Sequence, residues 1–400
     1  MINFEFMNPT KLVFGPERHA EAGKLIGRFG AKKVLVVFGG GSVVRSGLLG
    51  RIEDSIREAG FDFLEFGGVE PNPKVSLVRK GIALCRAEGV DFVLAVGGGS
   101  VIDSAKAIAI GAVNDVDIWD IYSGSTVYDS ALPVGVVLTI PGSGSESGSG
   151  SVISNEETQQ KYLYSSDAIR PVFCIIDPSL FLTIPEKTRW PSIFDMMSHV
   201  MERYFTNTPR AELTDGLCEA TLRNLIRNAR RLHHGENTID VWGELALSAN
   251  VAHNGVCGMG RRPDWACHGM EHEISAVYGV PHGAGLAVIT PAWMKVVYKD
   301  NIPLFAQFAV NVMDTPMNRN LEEVAREGIR RMESLIRSFG LPTTMEELGV
   351  LDDSMFETMA KRSVLYDQFP DYKAGAVKPI GWQEAVEIFK QAQAENAKNW

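Results

Sequence analysis

The chain has 400 residues, a net charge of −10, 45% apolar and 22% charged residues. That length is more than one core fills and implies two domains, and the acidic balance argues against a nucleic-acid partner, which needs clustered Lys and Arg. Five scattered cysteines (Cys85, Cys174, Cys218, Cys257 and Cys267) with no C-x-x-C argue against a disulfide framework or a zinc knuckle.

The N-terminal stretch MINFEFMNPTKLVFG lacks the basic region and apolar run of a signal peptide. No apolar stretch reaches the length of a membrane span. A cytoplasmic protein without a membrane partner is expected. INFEF (2–6) reads as an edge strand, and an open edge points to pairing with a second subunit, hence a homodimer.

From there to about residue 185, short apolar runs alternate with amphipathic segments. Strands are expected at 32–38, 62–68, 91–96, 132–141 and 170–178, and helices at 46–60, 76–89 and 100–112. Strands separated by helices of this length mean βαβ units and a parallel sheet. Near-continuous Val, Leu and Ile suit strands covered on both faces. The run GSGSESGSGS (142–151) has the composition of a flexible linker, yet it directly follows a strand. A loop lining a ligand site is the other reading there. Beyond TIPEKTRWP (183–191) the strand signal fades and helical periods follow: 191–206, 210–232, 239–256, 265–277, 284–299, 302–312, 320–339 and 381–397. The expected architecture is an α/β nucleotide-binding domain over 1–185 and an all-α metal-binding domain over 186–400.

Two segments of the first half use one device. VVFGGGS and LAVGGGS are each an apolar strand, three glycines and a serine, then a helix. Glycine lets backbone N–H groups approach a ligand, and a helix start offers unpaired N–H groups and a positive dipole end to phosphate. Gly39, Gly40, Gly41 and Ser42 in the first copy, and Gly98, Gly99 and Ser100 in the second, are cofactor-binding candidates. Asp103 joins them, because Ser100 and Asp103 fit a capping box at that helix start. Plain glycine-rich turns without a ligand are the alternative; the repetition favours a nucleotide. Neither copy is a G-x-G-x-x-G, so the ordinary dinucleotide fingerprint is absent. No acid follows Phe38 to read a ribose 2′-OH, whereas Arg45 stands close behind. The expectation is NADP(H) over NAD(H).

The second half gathers histidines in a chain that has only eight. CHGMEHEISAVYGVPHGAG holds His268, His272 and His282. Asp195 and His199, four apart in PSIFDMMSHVMERYF, share one helical face beside an apolar stripe. Such a pair is either a satisfied core pair or a pair of ligands. With His268 and His282 it makes one carboxylate and three imidazoles, a donor set for a divalent transition metal and too rich in nitrogen for Mg or Ca. His272 is open between ligand, support of a ligand and proton relay. His19, His233, His234 and His253 have no such company.

These residues resemble the iron-containing alcohol dehydrogenases, in the branch of NADPH-dependent aldehyde reductases and butanol dehydrogenases. The resemblance runs nearly end to end: EPNP (70–73), AVGGGSVID (95–103), GSGSES (142–147), DP (177–178), the D-x-x-x-H-x-x-E of Asp195, His199 and Glu202, and DWACHGMEHEISAVYGVPHG (264–283). It implies a dehydroquinate-synthase-like fold. It implies Asp195, His199, His268 and His282 as ligands of one divalent ion, Fe2+ before Zn2+. It places His272 close to substrate and nicotinamide as the catalytic residue. It puts Gly98, Gly99 and Ser100 on the pyrophosphate, Thr139 and Ser143 near the adenine, and Lys161 and Asn72 near the riboses. Two departures stand out: Ser192 where the family often has Gly, and an unusually serine-rich 142–151 loop.

The expected activity is reduction of aldehydes to primary alcohols, and the reverse, by hydride transfer from NADPH, with a small-molecule substrate. The rivals are an NAD-linked polyol dehydrogenase of the same fold (glycerol or lactaldehyde/propanediol type), and a metal-dependent hydrolase or lyase with a mononucleotide site. The latter lacks an H-E-x-x-H, since HGMEH puts its Glu one residue before the second His. Trp265, Phe205, Met259 and Met270 are candidates for an apolar pocket or for core.

Overall fold

The computed structural model describes residues 1–124, 126–365, 369–397 and 400. Its strands are β1 (Lys11–Phe14), β2 (Lys33–Gly39), β3 (Asp62–Val69), β4 (Phe92–Gly97), β5 (Val134–Leu138), β6 (Gly150–Asn155), β7 (Gln160–Ser165) and β8 (Phe173–Ile176). Six of them form one sheet in the order β1-β8-β5-β4-β2-β3, and β6 and β7 form an antiparallel hairpin. Every pairing in the six-stranded sheet is parallel. Of its four inner strands, β4, β5 and β8 are buried at every residue and β2 at all but its two end residues, which is why they read as unbroken apolar runs. Helices α1 (Leu48–Glu58), α2 (Val75–Glu88) and α3 (Gly99–Val113) make the crossovers.

The chain falls into two units: Met7–Ile184 with Gly235–Asn254, and Met1–Phe6 with Pro185–His234 and Gly255–Trp400. The helix Ile239–His253 thus belongs to the sheet unit, where the Trp242 ring meets Phe181 edge-on at 6.0 Å. The second unit is helical among its described residues. It contains α4 (Glu186–Tyr204), α5 (Glu212–His233), α6 (Ala266–Tyr278), α7 (His282–Val297), α8 (Ile302–Asn311), α9 (Leu321–Ser338), α10 (Phe356–Ser363) and α11 (Trp382–Gln391). No helix among the described residues is long and apolar enough to cross a membrane.

Two expectations need correction, and one of two alternative readings falls away. Residues 2–6 form no strand: the Ile2 N–H donates to the Gly260 carbonyl at 2.9 Å, and the edge position goes to β1, which pairs with β8 from Lys11↔Phe173 to Phe14↔Ile176. A single loop carbonyl cannot make a ladder, whereas β8 offers Lys-Leu-Val-Phe a continuous one. The 142–151 run is no flexible linker. Ser145, Glu146 and Ser147 are buried, and the run continues into β6 of a hairpin that sequence reading missed. The capping box is absent as well. Gly98 is the N-cap of α3 with no side-chain cap, because the Asp103 carboxylate accepts instead from the Ser145 hydroxyl at 2.6 Å and the Val152 N–H at 3.0 Å.

Candidate functional site

Sheet topology brings the two glycine loops together. From β2 the chain moves outward to β3 and then returns to place β4 on the other side of β2. That reversal opens a crevice beyond the carboxyl ends of β2 and β4, where open α/β sheets bind ligands. Gly39 ends β2 and Gly97 ends β4, so both Gly-Gly-Gly-Ser segments border the same crevice.

Their local geometry differs. Gly41 has φ 99°, a conformation that favours glycine. It precedes the short turn Ser42–Arg45, and the exposed Arg45 lies with Nη1 3.3 Å from where a Gly41 Cβ would stand; Gly40 has open space around it. In the second loop Gly98 is extended, and the N–H groups of Val101 and Ile102 both reach its carbonyl. A Cβ on Gly99 would lie 2.6 Å from the Ser143 hydroxyl oxygen, so only glycine lets the 143–150 loop close on this helix start, beside Ser100. The Thr139 N–H donates to the Gly97 carbonyl at 3.0 Å. Lys161 Nζ donates to Asn72 Oδ1 at 3.1 Å, and Asn72 holds a left-handed φ of 55°. Asp103 sits one turn into α3 with its carboxylate engaged by the loop, as described above.

In the helical unit, Asp195, His199 and Glu202 fall on one face of α4 at spacings of four and three. His268 and Glu271 repeat the three-residue spacing on α6, and His282 opens α7 behind Pro281. Asp195 Oδ1 lies 3.5 Å from His199 Nδ1, 3.8 Å from His268 Nε2 and 3.7 Å from His282 Nε2. These separations are too long for hydrogen bonds. They fit donors around a shared ion, since ligands about 2.1 Å from a tetrahedral centre lie roughly 3.4 Å apart. Asp195 Oδ1 and His268 Nε2 are buried with no hydrogen-bond partner, a costly arrangement that a cation relieves. Asp195, His268 and His282 place their donor atoms within 4.8 Å of one another, and the His199 ring is 4.6 Å from that of His268.

Two carboxylates behind the histidines fix the tautomers. Glu202 Oε2 is 2.5 Å from His268 Nδ1, and its other oxygen accepts from the Cys267 N–H at 2.6 Å. Glu271, fully buried, meets His282 Nδ1 with one oxygen and accepts from the Ser275 hydroxyl with the other. With Nδ1–H bound to carboxylate, each Nε2 presents its lone pair toward Asp195. Burial works against a positive charge on His268, but the Glu202 and Asp195 carboxylates outweigh it and push its pKa up to about 9, so Nε2 must give up a proton before its lone pair can meet a cation.

His272 is half-buried, with its ring 6.3 Å from His268 and 5.5 Å from His282. Glu271, His272 and His282 also offer three mutually close donor atoms, but Glu271 is already committed to His282 and Ser275. Trp265 adopts φ 60°, uncommon for a bulky residue and frequent at functional sites, where it starts α6. Its ring stands edge-on to His268 at 5.2 Å, and the Arg203 guanidinium covers it at 4.5 Å while donating to the His199 carbonyl at 2.8 Å. Phe205 is instead core, stacked on Phe305 at 4.6 Å, and Met270 is buried too; Met259 is half-buried.

Glu202 and Glu271 are the site residues that motif reading quoted without assigning a role. The available signal was their spacing, three residues after His199 and three after His268, on the same helical faces. Gly283 is another. A Cβ there would lie 1.9 Å from the Pro191 carbonyl oxygen of α4, so glycine is what lets α7 bring His282 this close to Asp195. Gly283→Ala should cost about 1–3 kcal/mol of stability or more, as overpacking against backbone does, and should lower metal content. Thermal unfolding and elemental analysis check this; a variant unchanged in both refutes the packing account.

The sequence matches the iron-containing alcohol dehydrogenase pattern over residues 9–178. It matches that of the Fe-containing alcohol dehydrogenase family, C-terminal, over residues 191–392. The probable NADH-dependent butanol dehydrogenase 1 of Bacillus subtilis is 41% identical over 378 residues, 94% of this chain and 96% of that one. The NADPH-dependent aldehyde reductase YqhD of Escherichia coli is 33% identical over 365 residues, covering 90% and 93%. A crystal structure of NADH-dependent butanol dehydrogenase A from Thermotoga maritima superposes with a TM-score of 0.94 at 36% identity, covering 98% of this chain and 99% of that one. With its ligand-like cluster and its paired glycine loops, the chain belongs to the iron-containing alcohol dehydrogenase family, metal- and nicotinamide-dependent oxidoreductases that interconvert alcohols and aldehydes.

Proposed function

We propose that this chain reduces aldehydes to primary alcohols with NADPH as hydride donor. Asp195, His199, His268 and His282 hold one divalent ion, Fe2+ before Zn2+. The observation that carries this is the buried, unpartnered Asp195 Oδ1 with three imidazole nitrogens 3.5, 3.7 and 3.8 Å away. A bound ion supplies Lewis acidity toward a carbonyl oxygen, and a bound nicotinamide supplies the hydride. The chain's part is to orient and to manage charge. Glu202 and Glu271 hold the two imidazole Nδ1–H groups, and Trp265 presents an apolar edge beside the histidines. His272, flanking His282, exchanges the proton of the alcohol oxygen through its imidazole.

Gly98, Gly99 and Ser100 receive the pyrophosphate at the α3 start, Thr139 and Ser143 border the adenine, and Lys161 and Asn72 take the riboses. The preference for NADPH rests on Gly39, Gly40, Gly41 and Ser42, which place no acid after β2, and on the nearby Arg45 cation. The relatives' names carry both cofactors, NADH for the butanol dehydrogenases and NADPH for the reductase. We further infer a homodimer, from the open edge of β1 with its exposed Leu12 and Phe14, and a cytoplasmic location.

The test is elemental analysis of protein purified without chelator, beside oxidation of NADPH and NADH with butanal, and reduction of NADP+ and NAD+ with glycerol and 1,2-propanediol. We expect about one Fe or Zn per chain, faster turnover with NADPH, and loss of activity after chelation that added metal restores. Full activity without metal overturns the site assignment. Faster NADH oxidation overturns the cofactor preference, and faster turnover of the polyols selects the polyol reading.

A further inference from the structure

A fully buried lysine lies outside every role assigned so far. Lys106, two turns into α3, is 0% exposed and among the largest side chains enclosed in the fold. Burying an ammonium is costly unless its protons are all bonded. Here Nζ faces the Ser145 carbonyl at 2.7 Å, the Ser145 hydroxyl at 2.9 Å, and the Gly148 and Gly150 carbonyls, both at 2.8 Å. One cation thus gathers the serine-rich loop around itself.

The loop is tied to α3 a second time through the same serine. The Ser145 hydroxyl accepts from Lys106 and donates to Asp103 Oδ1 at 2.6 Å, while Asp103 Oδ2 takes the Val152 N–H at 3.0 Å. Asp103 and Lys106 are three apart on one helix face, and together they hold both ends of the loop. The Ser145 N–H donates to Ser143 Oγ at 3.3 Å, and Ser143 Oγ is the atom that a Gly99 Cβ would meet. The chain of contacts runs from the buried ammonium through Ser145 and Ser143 to the glycine start of α3.

We propose that Lys106 is a positioning residue for the cofactor: its ammonium clasps the 143–150 loop and so holds Ser143 against Gly99, where the pyrophosphate and adenine ends of NADPH would sit. This rests on the cofactor reading above. Serine and glycine have little side chain with which to shape a loop, and the glycine backbone is the most costly to order. A central cation with several carbonyl acceptors imposes one conformation on such a loop.

A merely structural lysine and a positioning lysine differ in what they move. The experiment titrates NADPH into wild type, Lys106→Met and Ser145→Ala, and NADH into wild type, by cofactor fluorescence, with steady-state kinetics, thermal unfolding and metal content alongside. Ser145→Ala keeps both charges and removes the hydroxyl that links them, so it gives the answer if Lys106→Met does not fold. Loss of one hydrogen bond to a charged group predicts a Kd for NADPH raised roughly tenfold in Ser145→Ala and further in Lys106→Met. KM for NADPH should rise in parallel, while KM for the aldehyde and metal content stay at wild-type values. Lowered melting temperatures with NADPH affinity within about twofold of wild type overturn the proposal and leave Lys106 a structural residue. If wild type binds neither NADPH nor NADH, the cofactor reading itself has failed, which the same titration reads independently of the variants.

Discussion

Replacing His268 with alanine should abolish turnover while NADPH still binds. Three of the four donor side chains survive the change, but the imidazole facing Asp195 Oδ1 at 3.8 Å is lost. On the proposed assignment His268 would be one of four ligands of an ion supplying Lewis acidity, and its removal should lower kcat/KM at least about 10^3-fold, equivalent to roughly 4 kcal/mol of barrier. The fold should persist. Glu202, the buried partner left behind, keeps the Cys267 N–H at 2.6 Å, so the start of α6 remains anchored. The glycine loops, which take the cofactor on the proposed reading, belong to the sheet unit, whereas His268 belongs to the helical unit. The measurements are aldehyde-dependent NADPH oxidation, metal content and NADPH binding by fluorescence. Wild-type turnover by this variant in metal-free buffer would remove the metal from the mechanism; loss of NADPH binding with activity would show that the two functions are not separable in this way.

The second large effect is expected one layer behind the ligands. Glu202→Gln and Glu271→Gln keep size and shape but remove the charge that each histidine Nδ1 sees. A neutral amide can present its NH2 to that nitrogen and so reverse the tautomer, directing the lone pair away from Asp195. Metal affinity should fall about 10–100-fold, the range for the loss of such a partner. Glu271→Gln should be the more damaging, because Glu271 is fully buried and also accepts from the Ser275 hydroxyl. The distinguishing readout is rescue: at saturating metal both variants should regain much of their activity, whereas His268→Ala should not. Metal titration followed by activity decides it. Variants that retain wild-type affinity under chelator competition would show that the two carboxylates are structural only.

Much of the site was legible as spacing. A helix carries residues four and three apart to one face wherever it sits, so Asp195, His199 and Glu202 were aligned before any tertiary contact was known. The same holds for His268 and Glu271. Hidden from sequence was the partner of each carboxylate, since Glu202 reaches a residue sixty-six positions away. The flexible-linker reading of the 142–151 run rested on composition, and composition misleads where an unseen cation organises the chain. Lys106 lies in an apolar helix, and only its carbonyl neighbours show that it builds the loop. The capping box failed for a related reason: Asp103 has a local partner on offer, but Ser145 and Val152 compete from across the fold and win.

The division follows from the range of the forces. The sequence alone determined what short-range stereochemistry and periodic burial control: strands buried on both faces, crossover helices, the glycine approach to a helix start, and which ligand-type residues share a helix face. Tertiary structure decided what depends on the meeting of distant segments. That includes the strand order that sets the two glycine loops beside one crevice, the convergence of three helices on Asp195 Oδ1, and the glycine at 283 that permits it. A local pattern costs the same in any fold, whereas a buried carboxylate or ammonium is stable only where the whole chain has brought its partners to it.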